Sequence, residues 1–297
     1  MIIGRSPRWH ALIGTILLAG GLLSQAHGEP RLPEEDGQGA GEMIQPVELD
    51  VPFVPTPEVV VERMMALGEV EAADYVIDLG SGDGRIAVAA AEHGADRVLG
   101  VDIDPDRIRE GRMRAERVGV AEQVEFRRQD LFETPIAEAD VLTLYLLPSV
   151  NRDLRPKILH DMQPGSRVVS HAFDMDDWQP DVHDTTTGRD IYLWIVPADV
   201  AGRWQLTHQG RDIALEFSQR FQRLQGGARI DGRQVTLTEA ELRGDRIAFT
   251  LDDGGTPMRF HGRVEGDRMR AAEPVPAMTG ASSVQPAQAW QASRDNT

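Results

Sequence analysis

From residue 51 to residue 200, short apolar runs alternate with stretches of helical periodicity. The runs predict strands at Tyr75–Leu79, Arg97–Asp102, Val124–Arg127, Asp140–Leu146, Arg167–Phe173 and Ile191–Val196. A first helix is expected through Val59, Val60, Met64 and Leu67, with Pro57 in its first turn and Thr56 as cap. A second spans Ile86–Glu92 and stops at Gly94. A third opens on Asp104-Pro105-Asp106 as N-cap, N1 and first-turn acid, and ends between Val118 and Gly119. A fourth runs from near Arg152 to Met162, before Pro164-Gly165. Strands this apolar are buried on both faces, so the alternation predicts an α/β fold with a doubly wound, mostly parallel, Rossmann-like sheet.

After residue 200 the period drops to two. Trp204–Thr207, Ile213–Phe217, Val235–Leu237, Ile247–Leu251 and Met258–Arg263 alternate apolar with polar. Ile230-Asp-Gly-Arg-Gln-Val235, Leu242-Arg-Gly-Asp-Arg-Ile247 and Val264-Glu-Gly-Asp-Arg-Met269 repeat one signature, Gly beside Asp between apolar residues. That is hairpin-turn chemistry. A small antiparallel β module is therefore expected at 201–271, with no catalytic cluster in it. Residues 29–50, rich in Glu, Gly and Pro, read as a linker, and 272–297, rich in Ala, Pro, Ser and Gln, as a disordered tail.

The N-terminus carries Arg5 and Arg8, the apolar run Ala11–Leu23 and the small-residue site Ala26-His27-Gly28. This is the three-part pattern of a secretory signal peptide over 1–28. The run falls short of the roughly 20 apolar residues of a membrane span. Export to the periplasm or beyond is the expectation; the alternative is an uncleaved anchor that holds the chain at the inner membrane.

Charge narrows the chemistry. The chain of 297 residues carries −17 overall, but counted along the sequence residues 29–200 carry −20 and residues 201–271 carry +2. An acidic surface repels phosphate backbones, which excludes nucleic acid as a partner and suits a cationic one. Cysteine is absent, so disulfides, thiolate metal sites and a lipidated cysteine are excluded. No spaced His/acid cluster suggests a metal. Lys157 is the sole lysine against 30 arginines, a bias of composition.

The stretch Val76-Ile-Asp-Leu-Gly-Ser-Gly-Asp-Gly-Arg-Ile-Ala87 is the richest in chemistry. Gly80, Gly82 and Gly84 fall between the first strand and a helix, where a doubly wound sheet binds ligands. The Gly-Lys-Ser/Thr ending of a phosphate loop is missing, and Arg85 stands where a dinucleotide fingerprint requires glycine. Asp78 at the strand end suits a cation. Asp102, at the end of the second strand, can accept both hydroxyls of a ribose. Asp104 is better read as a helix cap. Asp130, after the third strand, can accept from an adenine amino group. A sulfonium, a ribose and an adenine without phosphate describe S-adenosylmethionine.

Asp78-Leu-Gly-Ser-Gly-Asp-Gly84 and Gly100-Val-Asp-Ile-Asp104 resemble the first and ribose motifs of class I S-adenosylmethionine-dependent methyltransferases. With Phe53-Val-Pro-Thr-Pro57, Gln129-Asp130-Leu131 and Tyr145-Leu-Leu-Pro-Ser-Val-Asn151, residues 51–200 are similar to the group of mitochondrial lysine methyltransferases that act on ATP synthase c subunit and nucleotide translocase. The resemblance implies a Rossmann-like methyltransferase domain and N-methylation of an amine such as a protein lysine. It also implies cofactor contacts from Thr56, Ser81, Ile103 and Leu131 beside the glycines and acids above. Tyr145, Pro148 and Asn151 would face the acceptor, Tyr145 and Asn151 as the catalytic candidates. His171 and Asp174 follow the fifth strand and can face the same site. The N-terminal segment and the β module depart from that group. Two other readings stay open: a small-molecule methyltransferase, and a non-catalytic binding protein that reuses the fold. No oligomeric state is implied.

Overall fold

The computed structural model describes residues 54–252, 254–255, 257–273 and 289–295. The expected signal segment, the linker and most of the expected tail lie outside the described residues.

A seven-stranded sheet forms the first layer system. β1 (Tyr75–Leu79), β2 (Arg97–Asp102), β3 (Val124–Arg128), β4 (Val141–Leu144) and β5 (Arg167–His171) run parallel, and β7 (Ile191–Ile195) lies antiparallel to both β5 and β6 (Val182–Asp184). The order is β3-β2-β1-β4-β5-β7-β6. It reverses between β1 and β4, the place where such sheets open a crevice. β6 lies between the strands predicted at Arg167–Phe173 and Ile191–Val196 and is not among them, because three residues are too few to show a period.

Four helices, α1 (Glu58–Leu67), α2 (Arg85–Glu92), α3 (Pro105–Val118) and α4 (Pro148–Asp161), cover this sheet among the described residues. α3 begins as expected: Asp104 accepts a hydrogen bond from the Asp106 amide at 2.8 Å, Pro105 opens the first turn, and Gly119 closes the helix at φ 83°. α1 corrects the expectation. Pro57 holds the N-cap position without any side-chain cap, and the Thr56 hydroxyl turns instead to His171 at 3.2 Å. α4 begins a turn before Arg152, because Pro148 has the φ that a first helical residue needs.

One ring explains how α2 and α3 close on the sheet. A Cβ on Gly84, Gly100 or Gly111 would approach Phe126 to 2.6 Å in each case. The Phe126 ring fills a slot walled by three bare backbones, and any side chain there would push strand and helices apart.

The second region is a closed barrel of eight antiparallel strands. These are β8 (Gly202–His208), β9 (Arg211–Arg220), β10 (Arg223–Ile230), β11 (Arg233–Arg243), β12 (Arg246–Asp252), β13 (Met258–Glu265), β14 (Arg268–Ala271) and β15 (Trp290–Arg294). Each strand pairs with the next, and β15 pairs with β8, so no strand edge is left open. Inward residues alternate along β8 and β9, while β12 is buried throughout Ile247–Leu251, and Trp204, Phe217, Phe249, Phe260 and Trp290 pack into one core. The repeated Gly/Asp signatures form the two-residue turns Asp231-Gly232, Gly244-Asp245 and Gly266-Asp267.

The disordered tail is a correction. Trp290–Arg294 is a strand that closes the barrel; Trp290 is buried, and its indole N–H donates to the His261 carbonyl at 3.1 Å. An eight-stranded ring needs a last strand, and a single tryptophan among small residues supplies its inward anchor.

Candidate active site

A pocket opens at the carboxyl ends of β1, β2 and β4. Its lining includes Thr56, Gly80, Ser81, Gly82, Asp102, Ile103, Asp130, Leu131 and Tyr145. These sequence-predicted residues come from five separate stretches of chain and meet at one crevice. Asp78, Gly84 and Asn151 do not line it.

The loop after β1 shows why glycine recurs. Gly80, Gly82 and Gly84 all have positive φ, at 74°, 52° and 77°. Only glycine adopts this repeatedly without strain. The curl aims the Gly82 amide at the Asp102 carboxylate, at 2.9 Å. The Asp104 amide donates to the other oxygen of Asp102, also at 2.9 Å. Two backbone donors therefore fix this carboxylate at the pocket edge, with lone pairs left for a diol. The Ser81 hydroxyl is buried on the same wall without a hydrogen-bond partner. Asp130 lies across the pocket, one oxygen accepting from the Phe132 amide at 2.8 Å.

Gly84 belongs to the helix–sheet contact with Phe126 and not to the pocket wall. Asp78 lies beneath the loop. It is 1% exposed; Thr143 Oγ1 donates to its Oδ1 at 2.7 Å, and its Oδ2 has no partner. Burial pushes its pKa up to about 7, against the Thr143 hydrogen bond. The placement differs from a carboxylate pointing at the ligand, because the side chain of the fourth strand residue faces the helix layer and not the strand end.

A network that the sequence reading missed carries the loop. Asp83 accepts from Arg85 Nε at 2.9 Å and Nη2 at 2.6 Å, and from Arg114 Nη2 at 2.7 Å. Arg85 Nη1 also donates to the Thr56 carbonyl at 2.7 Å. Burial alone would raise the Asp83 pKa; the Arg85 hydrogen bonds and the Arg114 and Arg85 charges outweigh it and hold the carboxyl below its usual range. Arg85 thus ties the segment before α1 to the glycine loop. Its presence where a dinucleotide site needs glycine was the available signal; its partners were not.

Beyond the end of β4 the wall is aromatic. Tyr145 stacks near His171, ring centroids 4.0 Å apart, and near Phe173 at 6.3 Å. His171 is buried, and its pKa falls to about 4, chiefly from desolvation, then from the charge of Arg189. It is neutral at neutral pH and places no cation beside the pocket. Asn151 is fully buried behind this wall. Its Nδ2 donates to Ser170 Oγ at 3.2 Å and to the Phe173 carbonyl at 3.1 Å. It holds the turn after β5 and does not reach the pocket, a correction to its candidacy as a residue facing the acceptor.

The ANTKMT methyltransferase domain matches residues 78–182. A protein-lysine N-methyltransferase of Saccharolobus islandicus is 41% identical over 151 residues, covering 49% of this chain and 94% of that protein. The adenine nucleotide translocase lysine N-methyltransferase of Mus musculus is 34% identical over 135 residues, covering 46% of this chain and 58% of that protein. A crystal structure described as an RNA methyltransferase from Salinibacter ruber with S-adenosyl-L-homocysteine is 50% identical, covers 50% of this chain and 96% of that chain, and has a TM-score of 0.48.

Proposed function

This chain belongs to the protein-lysine N-methyltransferase family, whose methyl donor is S-adenosylmethionine, and on that premise we propose that it methylates the ε-amine of lysine on a protein acceptor. The observation that carries the reading is the junction at Tyr145. This residue lines the crevice of Gly80–Gly82, Asp102 and Asp130 and also belongs to the aromatic wall with His171 and Phe173. A donor crevice and a flat apolar wall meet at one side chain.

The residues fit the donor. Asp102 is preset by two amides to accept a ribose diol, the unpartnered Ser81 hydroxyl lies within the glycine loop, and Asp130 is within the same lining for an amino group. When bound, the donor supplies an electrophilic methyl group on a sulfonium. The chain's work is alignment and exclusion of water. Neutral His171 adds no repulsion toward a cationic donor or an amine. Tyr145 and Phe173 present ring faces, which attract ammonium groups and shed water from them. The acceptor amine gives its proton to solvent before attack.

Export is the proposal for location. Arg5, Arg8, the run Ala11–Leu23 and Ala26-His27-Gly28 support it, and an uncleaved inner-membrane anchor competes with it. N-terminal sequencing of the protein recovered from each cell fraction decides between them.

The functional test is calorimetric titration of the chain with S-adenosylmethionine, followed by transfer of labelled methyl to lysine-rich peptides, with RNA as a competing acceptor. Micromolar binding and label on lysine are expected. Label on RNA and none on peptide would replace the protein acceptor; a folded chain with no binding would end the methyltransferase reading.

A further inference from the structure

The barrel reaches the active-site wall through one hairpin tip. The turn between β9 and β10 is Phe221-Gln222, and Phe221 has φ 56°. Equivalent first positions in the turns β11–β12 and β13–β14 are Gly244 and Gly266, both at φ 59°. A two-residue turn of this kind takes glycine there by default. At β9–β10 an aromatic residue bears the left-handed backbone instead, and such outliers persist where the surroundings demand them.

The demand is visible. The Phe221 ring stacks on Trp178 at 5.9 Å, and the Arg155 guanidinium lies 5.5 Å above its centroid. Beside it the Trp178 indole donates to Gln222 Oε1 at 3.1 Å, Gln222 Nε2 donates to the Gln179 carbonyl at 2.7 Å, and Arg220 donates to Asp177 Oδ2 at 2.6 Å. Trp178 is fully buried, and Arg155 from α4 also donates to Asp177 and to the Met175 carbonyl. The gripped segment, 175–179, directly continues the turn that bears Phe173. That turn is itself strained, with Ala172 at φ 67° and Asp176 at φ 60°. Asn151 holds its near end and the hairpin tip holds its far end.

We propose that Phe221 is a positioning residue for methyl transfer: the β9–β10 tip of the barrel holds the 172–179 segment, and through it keeps Phe173 and His171 against Tyr145 on the acceptor side of the pocket. The proposal rests on the methyltransferase reading but concerns the acceptor side alone. The donor crevice, built from β1, β2 and α2, has no contact with this tip among the hydrogen bonds and ring pairs above.

The test uses the full chain with Phe221→Gly and Phe221→Tyr. Glycine suits the backbone and removes the ring; tyrosine keeps the ring. Three quantities are read: amide hydrogen exchange over 172–179, the Kd for S-adenosylmethionine, and kcat and KM with a polylysine peptide. For Phe221→Gly, exchange over 172–179 rises about tenfold, peptide kcat/KM falls about tenfold, the donor Kd stays within twofold, and Phe221→Tyr restores both changes. Unchanged exchange in Phe221→Gly would overturn the proposal. So would a loosened segment with unaltered peptide kinetics, or a donor Kd that weakens as much as the kinetics. Failure of the functional reading is separate, since it shows as a wild-type chain that neither binds S-adenosylmethionine nor labels the peptide.

Discussion

The two regions solve the burial of a sheet in opposite ways, and they present different surfaces to a ligand. The parallel sheet is covered by helices on its faces, so its functional surface is its end, where the strand order reverses between β1 and β4 and loops of different origin meet. The barrel closes on itself, packs Trp204, Phe249, Phe260 and Trp290 inside, and joins most of its strands by two-residue turns. The barrel has a cavity of its own, lined by residues of β8 to β11 that include Trp204, Leu215, Phe217 and Gln234. It acts outward, through what its turns present. Phe221 is the clearest case, a side chain placed where the turns β11–β12 and β13–β14 use glycine.

The contrast can be broken experimentally. Trp290→Ala strikes the barrel where it closes. Loss of a buried tryptophan and its bond to the His261 carbonyl costs about 3–5 kcal/mol. Denaturant unfolding should show the barrel lost early while S-adenosylmethionine still binds; loss of binding in parallel would mean that the two regions are one cooperative unit. Asp102→Ala strikes the other side. It removes the carboxylate oriented by Gly82 and Asp104, and donor affinity should fall about 100-fold with little change in melting temperature. An effect of under fivefold would remove Asp102 from the donor site.

Gly84→Ala tests packing inside the first region. The new methyl meets Phe126 at 2.6 Å and Gly111 Cα at 2.7 Å on a backbone at φ 77°, so about 2 kcal/mol of stability should go, measured by urea unfolding. Full stability would mean that the Phe126 slot is not tight.

The smallest effect is a pH dependence. Asp78 has its pKa raised to about 7 by burial, so the native state keeps a proton that the unfolded chain has released. Its stabilisation is complete below the unfolded carboxylate pKa and is lost as pH rises through about 7, by about 1 kcal/mol between pH 6 and 8. Asp78→Asn should flatten that decline. His171 acts on the other limb: its pKa is lowered to about 4, so its contribution is present above its unfolded pKa and lost as pH falls toward 4. Parallel curves for wild type and Asp78→Asn from pH 6 to 8 would discard the Asp78 assignment.

Much of the first region was legible because its information is local. β1 and β2 are short, mainly apolar runs, and the glycines sit at the turn that follows β1. Asp104 carries its cap in three consecutive residues. What stayed hidden depends on neighbours distant in sequence. Asn151 follows Tyr145 closely in the chain, yet its amide faces Ser170 and Phe173. Asp83 shows its importance only when Arg114 arrives from α3. In the barrel, β10 was masked by Gly226 and Gly227, which break the alternation; a Cβ on Gly226 would meet the Glu216 carbonyl at 2.0 Å, so the ring needs that bare backbone. β15 shows too little pattern around Trp290 to be read as a strand until β8 and β14 flank it.

The closing pair of the barrel also sets an order of events in time. β8 and β15 are neighbours in the ring, with Trp290 opposite His208, yet all the other strands of the barrel lie between them along the chain. A contact of such long range forms late, after the cost of closing that loop has been met, whereas hairpins such as β9–β10 form from adjacent residues. In refolding, the β9–β10 hairpin that meets Trp178 should therefore form before Trp290 is buried. Recovery of order over the 172–179 segment would run ahead of burial of Trp290, and the interval between them would report closure of the ring.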